Sequence, residues 1–479
     1  MSSRYDAVVV GSGPNGLAAA VELARNGWST LVVEGADTIG GGTRTTELTL
    51  PGFRHDVCSA VHPFAVASPY FRSLPLERFG LQWIHPDVCL THPLDGGRVA
   101  GLHRSLDATT FGLAEDGAHY RRLIEPMVEK ADDLFAAALA PLLRVPRHPV
   151  TLARFGLTGV IPAAALVRRF ETDRGRAILG GLAAHAMTSL SRPVTSGVAL
   201  LLAAAGHAFG WPIARGGSAS ITDALAAYLR ELGGEIVTGQ PVHRLGDLPP
   251  ARCHLLDVMP GAALHIAGDA VTRSRRRLGG WQHGMAAFKV DWALEGPIPW
   301  ADPLSGGAGT VHVGGSFEEV AASERAALRG RHTSRPFVLV SQPTVWDPTR
   351  APAGRHVAWG YCHVPHGSTR DMTDAIEAQI ERFAPGFRDL VIGRSVKAPA
   401  DLAAHNPNYV GGDIGGGAMT LGQLTARPRP GPDPYRIGDH LYLCSAATPP
   451  GAGVHGMCGY HAARSALAHS GAQAVSTQR

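Results

Sequence analysis

The sequence predicts an α/β protein built on a parallel sheet, with an α+β domain interleaved through it, and three observations carry that expectation. Residues Tyr5 to Val10 hold a continuous apolar run, Ala7, Val8, Val9 and Val10, as a strand buried on both faces does. A glycine-rich turn and a helix-forming run, Leu17 to Ala24, follow at once. The same order returns near the other end, where the strand-like His440-Leu441-Tyr442-Leu443-Cys444 leads through a glycine-rich turn into a helix expected from about Met457 through Ala468.

A chain of 479 residues suits two packed domains rather than one small core. Hydrophobic residues at 45% and charged residues at 18% supply a buried interior and argue against disorder. The surplus of 44 basic over 40 acidic residues is too small to mark a nucleic-acid binder. The densest basic run, Arg273 with Arg275, Arg276 and Arg277, reads as a solvated turn or helix face. Six cysteines form no CxxC pair, so neither a zinc site nor a dithiol centre is expected. The 23 histidines are dispersed without HExxH spacing; we expect no metal and mostly surface and structural roles for them. No secretory signal is read at the amino terminus, and the longest apolar stretch, Val198 to Ala208, is too short to span a bilayer. A cytoplasmic location, with peripheral membrane contact left open, is the expectation.

The first turn is Gly11-Ser12-Gly13-Pro14-Asn15-Gly16, a GxGxxG in its required setting between strand and helix. Gly11 makes the turn, Gly13 lets backbone approach a pyrophosphate, and Gly16 allows the helix to pack closely on the strand. The helix amino terminus, with free N–H groups, receives the phosphates. A helix stop at Asn26-Gly27 and a strand from Ser29 to Val33 lead to Glu34-Gly35, which places a carboxylate against the hydroxyls of an adenosine ribose. This is a Rossmann-type dinucleotide site. Soon afterwards comes a second glycine turn, Gly40-Gly41-Gly42-Thr43-Arg44-Thr45. It resembles the stretch by which flavoproteins of the amine-oxidase and carotenoid-desaturase types pass backbone close to the flavin, which implies FAD rather than NAD.

The last motif, Ser445-Ala446-Ala447-Thr448-Pro449-Pro450-Gly451-Ala452-Gly453-Val454-His455-Gly456, again feeds a helix amino terminus, suited to the ribityl chain and the pyrimidine edge of an isoalloxazine. Two such sites on one chain suit one long cofactor. In this order the motifs resemble the phytoene-desaturase family of flavoproteins, in particular the branch that includes pyridine nucleotide-disulfide oxidoreductase domain-containing protein 2. The likeness continues through Arg215-Gly216-Gly217-Ser218-Ala219-Ser220-Ile221-Thr222-Asp223-Ala224-Leu225, Gly233-Gly234-Glu235-Ile236-Val237, Pro241-Val242 and His405-Asn406-Pro407-Asn408-Tyr409-Val410-Gly411-Gly412-Asp413. It is thinnest between about 75 and 210. Two departures stand out. Ser445-Ala446 replaces the aspartate that many relatives use on a ribityl hydroxyl, and no second GxGxxG supplies a nicotinamide site, Gly306-Gly307-Ala308-Gly309 reading as a loop.

The resemblance implies an FAD domain assembled from 1–70, 213–285 and 425–479, of the glutathione-reductase and amine-oxidase kind. A substrate domain would come from 71–212 and 286–424, with Val242 over the adenine. Helical spacing from Ala131 to Pro212 and strands at Phe288–Leu294 and Pro336–Ser341 suggest a sheet roofed by helices, and a mobile polar tail is expected after about Ser470. The cofactor contacts expected are Gly11, Ser12, Gly13, Pro14, Asn15, Gly16, Glu34, Gly35, Gly41, Gly42, Thr43, Arg44, Val242, Ser445, Ala446, Gly453, Val454 and His455.

For the chemistry, a flavin supplies the hydride acceptor and the chain supplies helpers. His455 either contacts the reacting centre or packs the backbone of its turn. Lys289 alternates with Asp291 on a strand, which reads as a wet face with an ion pair; the amine-oxidase resemblance instead implies a lysine near flavin N5. Arg44 could offset charge on reduced flavin or pyrophosphate. His55, Asp56 and His62 read as ordinary loop residues before pocket lining, His405 to Asn408 as a rigid turn before a substrate wall, and Trp211, Trp281, Tyr361 and Tyr409 as core aromatics or pocket walls. The expected activity is removal of hydrogen from an apolar or partly apolar small molecule by a dehydrogenase, desaturase or oxidase, reoxidised by oxygen, a quinone or another acceptor. A redox-neutral flavin isomerase or cyclase, and a non-catalytic binding protein on the same frame, are the alternatives.

Overall fold

The computed structural model describes residues 5–141 and 148–476, with backbone alone for 471–476. Strands β1 (Tyr5–Val10) and β2 (Thr30–Val33) are followed by a short hairpin, β3 (Thr45–Glu47) and β4 (Arg54–Asp56). Then come β5 (Trp83–Ile84), β6 (Val88–Leu94), β7 (Arg98–His103), β8 (Ile213–Ala214), β9 (Glu235–Val237) and β10 (Ala251–Leu256). The remainder are β11 (Ala286–Leu294), β12 (Ala308–Val313), β13 (Val338–Ser341), β14 (His356–Val364), β15 (Val391–Lys397), β16 (Arg436–Gly438) and β17 (Leu441–Leu443).

Six of these make the Rossmann-type sheet in the order β16-β17-β10-β1-β2-β9. Its four pairings from β17 to β9 are all parallel, and only β16 runs antiparallel. Parallel strands need both faces covered, which is why Ala7 to Val10 of β1 and Leu31 to Val33 of β2 are apolar and buried. One cover is helix α1 (Pro14–Arg25), which packs between the helices Ala219–Glu231 and Met457–Ser476. Helix α1 begins earlier than the apolar run suggests because Pro14 and Gly13 serve as first helical residue and cap. It ends where expected, with Asn26 as cap and Gly27 at φ +79°.

The second sheet has seven strands, ordered β15-β11-β14-β13-β12-β6-β7, antiparallel except for β12 with β6. One face is closed by the helix Thr373–Phe383 through Ile376, Ile380 and Phe383. The opposite face meets the main core and a helical layer that includes Asp173–Ala184 and Thr195–Ala208. The apolar run Val198–Ala208 is thus a core helix. Among the described residues no single helix is long and apolar enough to cross a membrane.

Two expectations change. The glycines at 306–309 are not a plain loop: Pro303–Gly306 forms a helical turn and β12 starts at Ala308. The last helix runs to Ser476, past the point where a tail was expected, and 477–479 lie outside the described residues. Residues 142–147 of the expected helical stretch also lie outside them.

Candidate functional site

The first glycine turn has the geometry its residue types require. Gly11 sits at φ +100°, and a Cβ on Gly16 would come within 2.0 Å of the Gly11 carbonyl oxygen, a distance no side chain tolerates. Ser12, Asn15 and Gly16 are buried, whereas Gly11, Gly13 and Pro14 line an accessible rim at the carboxyl ends of β1 and β2. Glu34, following β2, accepts the Ser12 N–H at 2.8 Å and the Ser12 hydroxyl at 2.6 Å through one oxygen, and the Ala36 N–H at 2.9 Å through the other. The carboxylate is therefore fixed against the first glycine turn.

The second glycine turn abuts the first. The Gly40 N–H donates to the Ser12 carbonyl at 3.1 Å, and a Cβ on Gly41 would stand 3.1 Å from Gly13 Cα. Gly42 lies under Tyr409, whose hydroxyl would be 2.0 Å from an added Cβ. Thr43 is buried and bonds the Gly40 carbonyl and the Thr222 hydroxyl. Arg44 donates to the carbonyls of Thr38 and Ile39 and pairs with Glu34 at 3.4 Å. It braces the loop between the Glu34 carboxylate and the second turn. Gly35 borders Pro241, and Val242 packs half-buried beside Val8, Val10 and Leu248.

The third glycine turn reaches the same end of the sheet, since the Cys444 N–H bonds the Leu256 carbonyl where β17 and β10 finish together. Gly451, Gly453 and Gly456 have φ of +115°, +126° and +66°. The helix they feed is pressed onto α1: a Cβ on Gly459 would meet the Asn15 carbonyl at 1.8 Å. Ser445 and His455 are buried, while Ala446, Gly453 and Val454 stay accessible. His455 Nδ1 accepts the Met457 N–H at 3.0 Å, its Nε2 has no partner among the described residues, and burial lowers its pKa to about 4. Close backbone approach at three turns, two helix amino termini and a fixed carboxylate together fit a dinucleotide with a long second half.

Beside the second glycine turn the seven-stranded sheet presents Lys289. It is not on a wet face: Lys289 and Asp291 are 3% and 0% exposed and paired to each other, and His55 Nδ1 lies 3.5 Å from Asp291. Alternation misled here because the face of β11 away from the Thr373–Phe383 helix is also covered. Lys289 Nζ donates at 3.0 Å to the carbonyl of Asp56, whose segment is held to the second glycine turn by the bonds from Val57 N to Arg44 O and from Ser59 N to Gly42 O. In register across the sheet, Lys397, Lys289, Tyr361, Leu339 and His312 form one row.

His55, Asp56 and His62 are not ordinary loop residues either. All three are buried. Asp56 pairs with Arg350 at 2.7 Å and Arg350 with Asp347 at 3.1 Å, every one of these side chains fully enclosed. Burial pushes the Asp56 carboxyl up, but the Arg350 guanidinium, the Ser218 N–H and the Thr45 hydroxyl outweigh it and hold it below the usual range. His62 bonds the Ser218 hydroxyl at 2.8 Å, and burial lowers it to about 4. Arg350 and Asp347 carry no motif in the sequence, since Asp56 lies 294 positions from Arg350 and Gly216 lies 131 from Asp347. The histidines are less dispersed in space than in sequence: His92, His312 and His185 adjoin one another, and His363 Nδ1 bonds Glu324 at 2.8 Å in the core. Among the described residues no such group has the make-up of a metal site. Trp211 is core, with its indole N–H on Thr310, and Asn408 staples the end of β10 through Met259 N and Asp257 O. The Arg273–Arg277 run is solvated.

Asp257, which follows β10, was missed by sequence reasoning. The strand before it carries Arg252 and His254 and so lacks the apolar run that precedes Glu34, and Asp257 lies between the first and third glycine turns.

A profile of the NAD(P)-binding Rossmann-like domain matches residues 9–74. The chain is 28% identical to rat pyridine nucleotide-disulfide oxidoreductase domain-containing protein 2, over 97% of this chain and 93% of that protein. It is 24% identical to the phytoene desaturase (neurosporene-forming) of Rhodobacter capsulatus, over 95% and 92%. Among solved structures, an oxidoreductase from Methanosarcina mazei superposes with a TM-score of 0.66 at 17% identity, covering 96% of this chain and 99% of that one. Putrescine oxidase bound to putrescine gives 0.61 at 18%, covering 98% and 99%. The structural likenesses speak for the fold. The whole-length resemblance first visible in the motifs holds, and the chain is similar to oxidoreductases of the phytoene-desaturase and amine-oxidase kind.

Proposed function

We propose that this oxidoreductase-like chain binds FAD and removes hydrogen from a partly apolar small molecule, passing the electrons to oxygen, a quinone or another acceptor. The observation that carries the reading is the convergence of three glycine turns, from residues 11–16, 40–44 and 445–456, at one end of one parallel sheet, beneath a buried lysine of the second sheet. In this reading 1–70, 213–285 and 425–479 make the cofactor domain, and 71–212 and 286–424 the substrate domain.

Gly11 to Gly16 and the start of α1 would hold the pyrophosphate, Glu34 the adenosine ribose, and Val242 the adenine face. Gly41 to Arg44, Ser445, Ala446 and Gly453 to His455 would flank the ribityl chain and ring. FAD, when bound, supplies the hydride acceptor. Lys289 contributes a fixed positive charge and N–H donors, held by Asp291 and the Asp56 carbonyl rather than by water. Tyr361, Leu339 and Trp359 give the sheet an apolar wall beside that charge. A substrate with an apolar body and one polar group suits such a mixed wall.

The purified protein should be yellow, and anaerobic addition of a substrate should bleach the flavin bands, with colour returning on addition of an acceptor. A colourless protein that takes up no FAD would overturn the reading. Activity seen only after prior reduction, with no net electron consumption, would replace it with a redox-neutral isomerase.

A further inference from the structure

Asp257 is 8% exposed and occupies the space between the two motifs that bracket the proposed pyrophosphate. Its Oδ2 accepts the Gly16 N–H at 2.9 Å and lies 3.1 Å from where Cβ atoms on Gly13 and Gly16 would stand. Its backbone is fixed on both sides, the N–H bonding the Val10 carbonyl and the carbonyl accepting Asn408 Nδ2. Gly16 is the third residue of α1, so this carboxyl group already takes one of the free N–H groups that the helix offers an anion.

We propose that Asp257 is the proton-linked partner of the dinucleotide pyrophosphate: the cofactor binds with this carboxyl neutral, and binding takes up one proton wherever the free protein holds it ionised. The inference rests on the FAD reading above and deepens it. A pyrophosphate brings two negative charges to the α1 terminus, and an ionised Asp257 would be a third negative charge in the same enclosed cradle, with Glu34 a fourth nearby. Like charges at close range in a buried site cannot all persist. Neutralising Asp257 removes the conflict and gives the carboxyl an O–H to donate, where the ionised form has only lone pairs.

The surroundings agree from every packed element. Gly11 and Gly13 present backbone, α1 presents the Gly16 N–H, β2 leads to Glu34, residues 406–409 present Asn408, and β17 and the last helix bring the thiols of Cys444 and Cys458. None of the groups that shift Asp257 is a cation. Burial first, and Glu34 second, push its carboxyl up to about 7, against the Gly16 N–H. Asp257 is the carboxyl that lies between the first and third turns, one strand from each.

The test is the pH dependence of affinity. FAD and ADP-ribose, which shares the pyrophosphate but lacks the isoalloxazine, would be titrated into apoprotein between pH 6 and 8.5. In wild type, Kd for both should climb toward tenfold per pH unit above pH 7, the limit for one linked proton. Calorimetry in two buffers of different ionisation heat should show about one proton taken up at pH 8. Asp257→Asn should bind both ligands with a flat profile and no proton uptake, and Asp257→Ser serves if the first variant fails to fold. A wild-type Kd that ignores pH, zero uptake at pH 8, or an unchanged slope in the variant would overturn the proposal while leaving FAD binding intact. Failure of wild type to bind FAD at any pH would instead overturn the cofactor reading beneath it.

Discussion

Lys289 Nζ donates at 3.0 Å to the carbonyl of Asp56, and through that bond the seven-stranded sheet is tied to the segment that follows the second glycine turn. The lysine is charge-paired with Asp291 on its own strand, and both are out of water. Replacing Lys289 by Met leaves Asp291 as a buried carboxylate with only His55 near it. We expect Lys289→Met to lose about 3–5 kcal/mol of stability in denaturant unfolding, as breaking one half of a buried pair does. Lys289→Met with Asp291→Asn should recover most of that loss. In the proposed reaction the double variant should still reduce or reoxidise its flavin on the order of 100-fold more slowly. Equal stability of the single and double variants would contradict the pairing.

Arg350 holds two carboxylates at once, Asp56 at 2.7 Å and Asp347 at 3.1 Å, and also donates to the Ala214 carbonyl at 3.0 Å. Arg350→Met strands two buried negative charges and should destabilise by about 3–5 kcal/mol or more. Arg350→Lys should rescue little, because an ammonium cannot reproduce the planar fork that serves three acceptors. The midpoint of urea unfolding reads both, and a lysine variant as stable as wild type would contradict the geometry.

Gly16→Ala places a methyl group 2.0 Å from the Gly11 carbonyl, so either the turn opens or α1 shifts from β1. The purified variant should retain less than a tenth of the wild-type flavin, measured as the ratio of visible to ultraviolet absorbance, since a displacement of about 1 Å at a positioning site costs on the order of 100-fold. Gly246→Ala is the control: it has no neighbour within 4 Å of an added Cβ and no φ in the left-handed region. It should keep full flavin content.

The parts legible in the sequence were those whose chemistry is local. A strand, a turn and a helix within 20 residues declare themselves, as Tyr5 to Arg25 do, because the glycines, the apolar run and the cap must be adjacent to work. Glu34 was legible for the same reason. Lys289 was misread because alternation tells which residues share a face and not whether that face is wet; its cover comes from residues 54–58, more than 200 positions earlier. Arg350, Asp347 and Asp257 were silent because each takes its meaning from partners brought in by the sheet order β17-β10-β1-β2 or by the packing of the hairpin β3–β4. The cluster of His92, His312 and His185 belongs to the same class. Spacing in sequence said dispersed, and the pairing of β6 with β12 put two of the three rings side by side.

Those histidines set the response to acid. Burial lowers His62, His92 and His455 to about 4 and His185 to about 3, with His363 adding to the effect on His185. Each has a folded-state pKa below its ordinary 6.5, so between pH 6.5 and 4 the unfolded chain binds more protons than the native one. The stability they confer is present above pH 6.5 and is lost as pH falls through 4. Asp257 runs the other way: its raised pKa favours the fold below 3.8 and the advantage is lost as pH rises through about 7. Burial raises Asp223 in the same sense, and two carboxyls against these four imidazoles leave the histidines in control, each contributing up to about 1.4 kcal/mol per pH unit in that window. Urea unfolding at pH 7, 6 and 5 should therefore show a steep fall in midpoint, and His92→Gln, which can keep a donor for the Gly315 carbonyl, should make the fall shallower by about one proton. A midpoint unchanged from pH 7 to pH 5 would show that these imidazoles titrate freely in the native protein.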